Sequence, residues 1–147
     1  MLDPPELHAR ARAATNAGRH VEAARWARRG LERVPEPPTR ARLLGTLAYA
    51  EAELGHLEPA EALCDEALAL DGIDPEVRGT VHGQRAVVRL RRGRRAAALA
   101  DFNAAIRLLS ADHQALGRNL LNRGNLHLET GQAAKALADF EQAVVES

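Results

Sequence analysis

The stretch LLNRGNLHLETGQAAKALADFEQA, residues 120–143, decides the fold. It reads as a helical run, a glycine at Gly131, and a second helical run carrying Ala136 five residues on. The same frame occurs three more times, at Gly18, Gly55 and Gly93, followed by Ala23, Ala60 and Ala98. The four glycines stand 37, 38 and 38 residues apart. Self-similarity at such a period predicts stacked helical hairpins, because one hairpin alone cannot bury its apolar faces. An array of this kind reads as a binding scaffold rather than an enzyme.

Aligning the repeats on the glycine exposes columns of small and large residues. Seven residues before it stand Ala11, Ala48, Ala86 and Gly124, and nine after it stand Ala27, Cys64, Phe102 and Phe140. Twelve after it come Gly30, Ala67, Ala105 and Ala143, followed by Leu31, Leu68, Ile106 and Val144. Small side chains let helix axes approach closely, and the larger neighbours fill the space beside them. Glycine itself suits the left-handed conformation that ends a helix.

These columns resemble the tetratricopeptide repeat family over nearly the whole chain. The last unit carries the resemblance best, through Leu120, Gly124, Gly131, Ala136, Phe140 and Ala143. The third unit departs from it with His82, where Leu7, Leu44 and Leu120 stand in the others, and the first has Ala27 in the aromatic column. The spacing also exceeds the family's period of about 34 residues. The resemblance implies an all-α fold, a right-handed α-solenoid of about eight helices in antiparallel pairs, of the kind found in bacterial proteins among others. It further implies a concave groove lined by the first helix of each pair.

First helices are expected near 5–17, 38–54, 75–92 and 113–130, and second helices near 20–33, 58–70, 95–109 and 133–146. The repeats then fall at 4–37, 38–74, 75–111 and 112–147, read as a single array spanning 1–147. Pro35, Pro37 and Pro38 separate the first two hairpins. Asp74 before Pro75, and Asp112, suit N-cap positions. The last helix is apolar on more than one face, whereas a terminal capping helix carries a polar outer face. The expectation is therefore either more protein beyond Ser147 or coverage of this end by another copy.

Composition bounds the function. Hydrophobic residues make up 46% of the chain but aromatic ones only 3%, so Ala and Leu supply most of the packing. The apolar runs are too short for a membrane span, and Met1 to Glu6 lacks the pattern of a signal peptide. One cysteine, Cys64, excludes an internal disulfide framework, and a cytoplasmic location is expected. Formal charge is zero, with 19 Arg to one Lys. It is unevenly spread: residues 1–40 and 79–116 are basic, and 41–78 acidic.

No phosphate-cradling glycine motif or paired-histidine metalloprotease motif occurs, the six histidines are scattered, and no catalytic residue, metal site or cofactor is expected. Cys64 and Trp26 read as packing residues. Arg85, Arg89, Arg91, Arg92, Arg94 and Arg95 form the densest basic stretch and read as a solvated helix end beside a negative dipole terminus. Without aromatic neighbours they give no support to nucleic-acid binding.

Counting back from each glycine indexes the groove, and its candidate binding residues are Arg12, Arg42, Tyr49, Gln84, Arg91, Arg118, Asn122 and Asn125. An amide donates and accepts together, so Asn122 and Asn125 suit an extended peptide backbone; bridging of adjacent helices is the structural alternative. The arginines favour an acidic peptide or a terminal carboxylate. The Lys and Asn arrangement of chaperone-binding carboxylate clamps is absent. The function expected is a non-enzymatic protein–protein interaction scaffold. Its alternatives are a sensor or regulatory repeat domain of a larger signalling or peptidase protein, and self-association through the C-terminal helix.

Overall fold

Eight helices and no strand make up the computed structural model, which describes all 147 residues. In order they are α1 (Pro4–Asn16), α2 (His20–Glu32), α3 (Pro37–Glu53), α4 (Leu57–Leu68), α5 (Pro75–Arg91), α6 (Arg95–Leu108), α7 (His113–Glu129) and α8 (Ala133–Glu146). All eight expected helices are present, with ends within two residues of those read from sequence. No helix is long and apolar enough to cross a membrane. The chain divides into two compact units, Met1–Val77 and Arg78–Ser147, the division falling in the first turn of α5.

The four turn glycines all hold left-handed backbone, with φ of 75° at Gly18, 87° at Gly55 and 77° at Gly93 and Gly131. Each turn is closed twice. In the last hairpin Gly131 N–H donates to Leu128 O at 3.1 Å, and Gln132 N–H to His127 O at 2.8 Å. Equivalent pairs of bonds close the turns at Gly18, Gly55 and Gly93. They satisfy carbonyls that a helix end otherwise leaves open. A Cβ at any of these glycines would meet nothing within 4 Å, so the sign of φ, not space, requires glycine. The following residue (Arg19, His56, Arg94 or Gln132) is already the N-cap of the next helix, without a side-chain capping bond.

The joins between hairpins use other devices. Asp3 and Asp112 cap α1 and α7 by accepting from Glu6 N at 2.9 Å and Ala115 N at 3.1 Å, each cap contributing about 1 kcal/mol. Pro37 and Pro38 sit in the first turn of α3, where a missing N–H costs nothing. Just before them Val34 holds φ of 48°, a left-handed value unfavourable for a β-branched residue.

Packing follows the columns. Ala11, Ala48 and Ala86 are fully buried, as are Ala23, Ala60, Ala98 and Ala136, and the larger column holds Cys64 and Phe102 fully buried. Cys64 is thus a packing residue, as read from sequence. At Gly124 the small column drops to glycine for a steric reason: a Cβ there would lie 2.5 Å from Phe140 Cε1. Unit 1 gathers Ala11, Ala14, Ala23, Ala24, Ala27, Leu43, Leu47 and Ala50 into one cluster, with Trp26 packed against it. Unit 2 has smaller clusters, around Phe102 and Leu126 and around Leu116 and Leu120.

Candidate binding surfaces

Three of the eight candidate residues, Arg12, Arg42 and Tyr49, lie in unit 1 on its first helices. Residues 42, 46 and 49 share one face of α3, being one helical turn apart. His8 of α1 is hydrogen-bonded through Nε2 to Thr46 Oγ1 at 3.0 Å, tying the two helices together. Burial first, then the charges of Arg12 and Arg42, push His8 down to about 4. The imidazole is therefore neutral at pH 7, and two exposed guanidiniums without a carboxylate partner flank it. Tyr49 is 38% exposed, its ring edge-to-face with His20 at 5.9 Å between centroids. Two unpaired cations beside a neutral imidazole favour an anionic group there.

The other five candidates belong to unit 2. Residues 118, 122 and 125 share a face of α7. Asn122 is half-buried and Asn125 exposed, and neither amide is hydrogen-bonded within the protein. The buried amide of α7 is Asn119, which the groove count passed over. It is 8% exposed, donates from Nδ2 to Ala115 O at 2.9 Å, and lies against Gly83 so closely that a Cβ there would be 2.6 Å from its Oδ1. Gln84 is half-buried with Oε1 buried and unbonded, and Arg118 and Arg91 are exposed. Leu121 and Leu128 are half-exposed beside them.

The basic stretch needs correction. Arg91, Arg92, Arg94 and Arg95 are exposed, but Arg85 and Arg89 are not a solvated helix end. Both reach Asp101 of α6, which is 2% exposed. Arg85 donates from Nε to Oδ2 at 2.9 Å and from Nη2 to Oδ1 at 2.8 Å, and Arg89 Nη1 donates to Oδ2 at 2.9 Å. His82 completes the ring through Nδ1 to Oδ1 at 2.9 Å, which explains its place in a leucine column. Burial works to raise the Asp101 carboxyl, but the hydrogen bonds of His82 and Arg85 and the charges of Arg85 and Arg89 outweigh it and hold it below its ordinary value.

The pair recurs in the last hairpin. Arg123 donates from Nε and Nη2 to Asp139 at 2.8 and 2.7 Å, and from Nη1 to Asn103 Oδ1 at 2.9 Å. Both pairs join the positions eight residues before and after the turn glycine. In unit 1 those positions hold Arg10 over the Trp26 ring, 5.5 Å from its centroid, and Leu47 with Leu63. Arg29 lies over the same ring at 4.9 Å, so Trp26 is a packed, cation-flanked residue.

Each unit also carries an open hollow at one corresponding place, between a second helix and both helices of the next hairpin. In unit 1 it measures about 350 Å³ and is lined by Arg28, Leu47, Glu51, Pro59, Leu63 and Glu66, among others. In unit 2 it measures about 320 Å³ and is lined by Asn103, Arg123, His127, Lys135 and Asp139, with Leu99 and Ala138. No group of three His, Cys, Asp or Glu side chains stands close enough to hold a metal ion.

Comparison with known proteins adds a match over one repeat and a shared fold. The tetratricopeptide repeat profile matches residues 117–144. Among solved structures, MamA covers 97% of this chain with 77% of its own, at 15% identity and a TM-score of 0.71. BtubC from P. vanneervenii covers 99%, with 65% of its own chain, at 21% identity and a TM-score of 0.76. A tetratricopeptide repeat protein from Parabacteroides merdae ATCC 43184 covers 95%, with 51% of its own chain, at 23% identity and a TM-score of 0.66. No curated protein matches the sequence. Residues 117–144 match the tetratricopeptide repeat model, and the chain carries the helical-repeat fold of these solved structures.

Proposed function

We propose that this chain is a non-enzymatic, cytoplasmic scaffold that binds an extended peptide or partner segment along its first helices. The observation that carries the reading is the pair Asn122 and Asn125, two amides on one face of α7 with no partner inside the protein. Buried or bridging amides are normally satisfied; these two are presented to solvent beside half-exposed leucines. In unit 1, Arg12 and Arg42 give the corresponding helices a preference for acidic side chains. The test is capture of partners from a lysate by the native chain and by Asn122→Ala with Asn125→Ala. The double variant is expected to lose its bound partners at an unchanged thermal midpoint. Retention of every partner would overturn the reading.

A second reading is self-association through α8. It rests on Leu137, Val144 and Val145, exposed at 58%, 74% and 79%. Sedimentation over a range of concentrations checks it, with a concentration-dependent mass expected and a constant monomer mass against it. Membership of a larger signalling or peptidase protein is compatible with both readings, and sequencing of the full open reading frame tests it.

A further inference from the structure

The hollow of unit 2 has its floor in α6 and α7 and its rim in the first turn of α8. Its charge is unbalanced in a specific way. Arg123 spends Nε and Nη2 on Asp139 and Nη1 on Asn103, so the guanidinium and the carboxylate cancel. What remains is Lys135, the one lysine of the chain, which has no carboxylate partner. It stands in the first turn of α8, where the helix dipole disfavours a cation; that turn holds no acidic residue, and its N-cap Gln132 makes no capping bond. Against the same hollow lies His127, more than nine-tenths buried, with Nδ1 unbonded and Nε2 3.7 Å from Asp139 Oδ2.

The corresponding hollow of unit 1 shows that this lining is not imposed by the fold. Pro59 stands where unit 2 has Lys135, Glu51 where it has His127, and Leu47 and Leu63 where it has Arg123 and Asp139. Its Glu51 already holds Arg28 Nη2 at 2.6 Å and His56 Nδ1 at 2.8 Å. One hollow is apolar and acidic with its charges met; the other keeps a surplus cation and an unsatisfied imidazole.

We propose that the hollow between α6, α7 and α8 is a binding site for a single carboxylate group, held by Lys135 with His127 beside it. A carboxylate matches the one surplus positive charge and completes the uncapped first turn of α8. A phosphate dianion would bring a second negative charge towards Asp139 with no further cation to meet it. The carboxylate comes either from a small free acid or from an acidic side chain of a polypeptide. This face is built from second helices with α7, so the site stands or falls independently of peptide binding along the first helices.

The single lysine makes the test direct. In carbon-13-labelled protein the Lys135 ε-methylene and His127 ring resonances are followed on titration with sodium acetate, with N-acetyl-Ala-Glu-Ala-amide, with its Gln counterpart, and with inorganic phosphate, at constant ionic strength set by chloride. Saturable shifts with the Glu peptide and none with the Gln peptide are expected. Acetate acting as well as the Glu peptide assigns the site to free acids; a response to the Glu peptide alone assigns it to acidic side chains. Lys135→Gln, at an exposed position, is expected to weaken binding about tenfold at an unchanged thermal midpoint, with Lys135→Arg restoring most of it. No saturable shift with either carboxylate probe, equal affinity in Lys135→Gln, or tighter binding of phosphate than of acetate would overturn the proposal.

Discussion

Unit 1 and unit 2 are built on the same turn and the same small-residue columns, yet they fill the positions flanking the turn with opposite chemistry. Eight residues either side of the glycine, unit 1 has Arg10 with Trp26 and Leu47 with Leu63, while unit 2 has Arg85 with Asp101 and Arg123 with Asp139. Net charge follows: Met1–Val77 holds 9 Arg and 14 acids, and Arg78–Ser147 holds 11 Lys and Arg and 6 acids, giving −5 and +5. The backbone of the hairpin is fixed by glycine φ and alanine packing, so the flanking pair is free to be apolar, cation–π or ionic. The ionic solution carries a liability. A buried carboxylate shared by two guanidiniums is stable only while every member is present.

That difference predicts the largest effect. Asp101→Ala strands Arg85 and Arg89 and is expected to cost about 3–5 kcal/mol, against about 2 kcal/mol for Leu63→Ala at the same position of unit 1. Urea unfolding separates the two, because the one Trp and one Tyr, Trp26 and Tyr49, both lie in unit 1. Asp101→Ala should lower the midpoint seen by circular dichroism more than that seen by Trp26 fluorescence, and equal shifts would break the comparison. Gly124→Ala comes next. It presses a methyl group into Phe140 and is expected to cost about 1–3 kcal/mol, whereas Ala86→Gly, in the same column, should cost about 1 kcal/mol through chain entropy.

Acid sharpens the contrast further. His8 titrates at about 4 when folded and near 6.5 when unfolded, so as pH falls the unfolded chain takes up the proton first. Its contribution is complete above 6.5 and is lost on descending towards 4, by about 2 kcal/mol once partial solvent exposure is allowed for. His113 in unit 2 has the opposite sign. Its hydrogen bond and charge interaction with Glu146 raise it, so its contribution is complete below the ordinary value and is lost as pH rises through the raised one. Asp101 weakens unit 2 only below the ordinary carboxylate range. Thermal midpoints read by Trp26 fluorescence should therefore fall between pH 6.5 and 4, and His8→Gln should flatten that slope. The smallest effect is local: Val34→Gly relieves a left-handed valine and should raise stability by about 1 kcal/mol in the same unfolding experiment.

Most of the fold was legible because its determinants are periodic. Gly18, Gly55, Gly93 and Gly131 repeat with the turn, and Ala11, Ala48 and Ala86 repeat with close helix packing. What the sequence concealed is where the pattern is broken. His82 in a leucine column was visible as a departure, but its meaning depends on Asp101, nineteen residues away on the facing helix. Asn119 escaped because it lies one position outside the face counted for the groove, and its burial depends on the missing Cβ of Gly83. Asn122 and Asn125 were readable as a pair, yet only the folded chain shows their amides unbonded. The hollow of unit 2 needs three helices from two hairpins, so no single repeat displays it.

The doubly bonded glycine turn also governs how the chain would be cut. Arg19 and Arg94 stand immediately after such turns, exposed and attractive to trypsin, yet their N–H groups are locked to Ala14 O at 2.9 Å and Arg89 O at 2.8 Å. A protease needs several residues in extended form, so cleavage there requires unravelling the end of one helix and the start of the next. Arg33 leads instead into Val34, Pro35 and Glu36, which have no regular structure. A first nick after Arg33, ahead of any at the hairpin tips, is the expected order of digestion. The hairpins would then outlast the link that joins them.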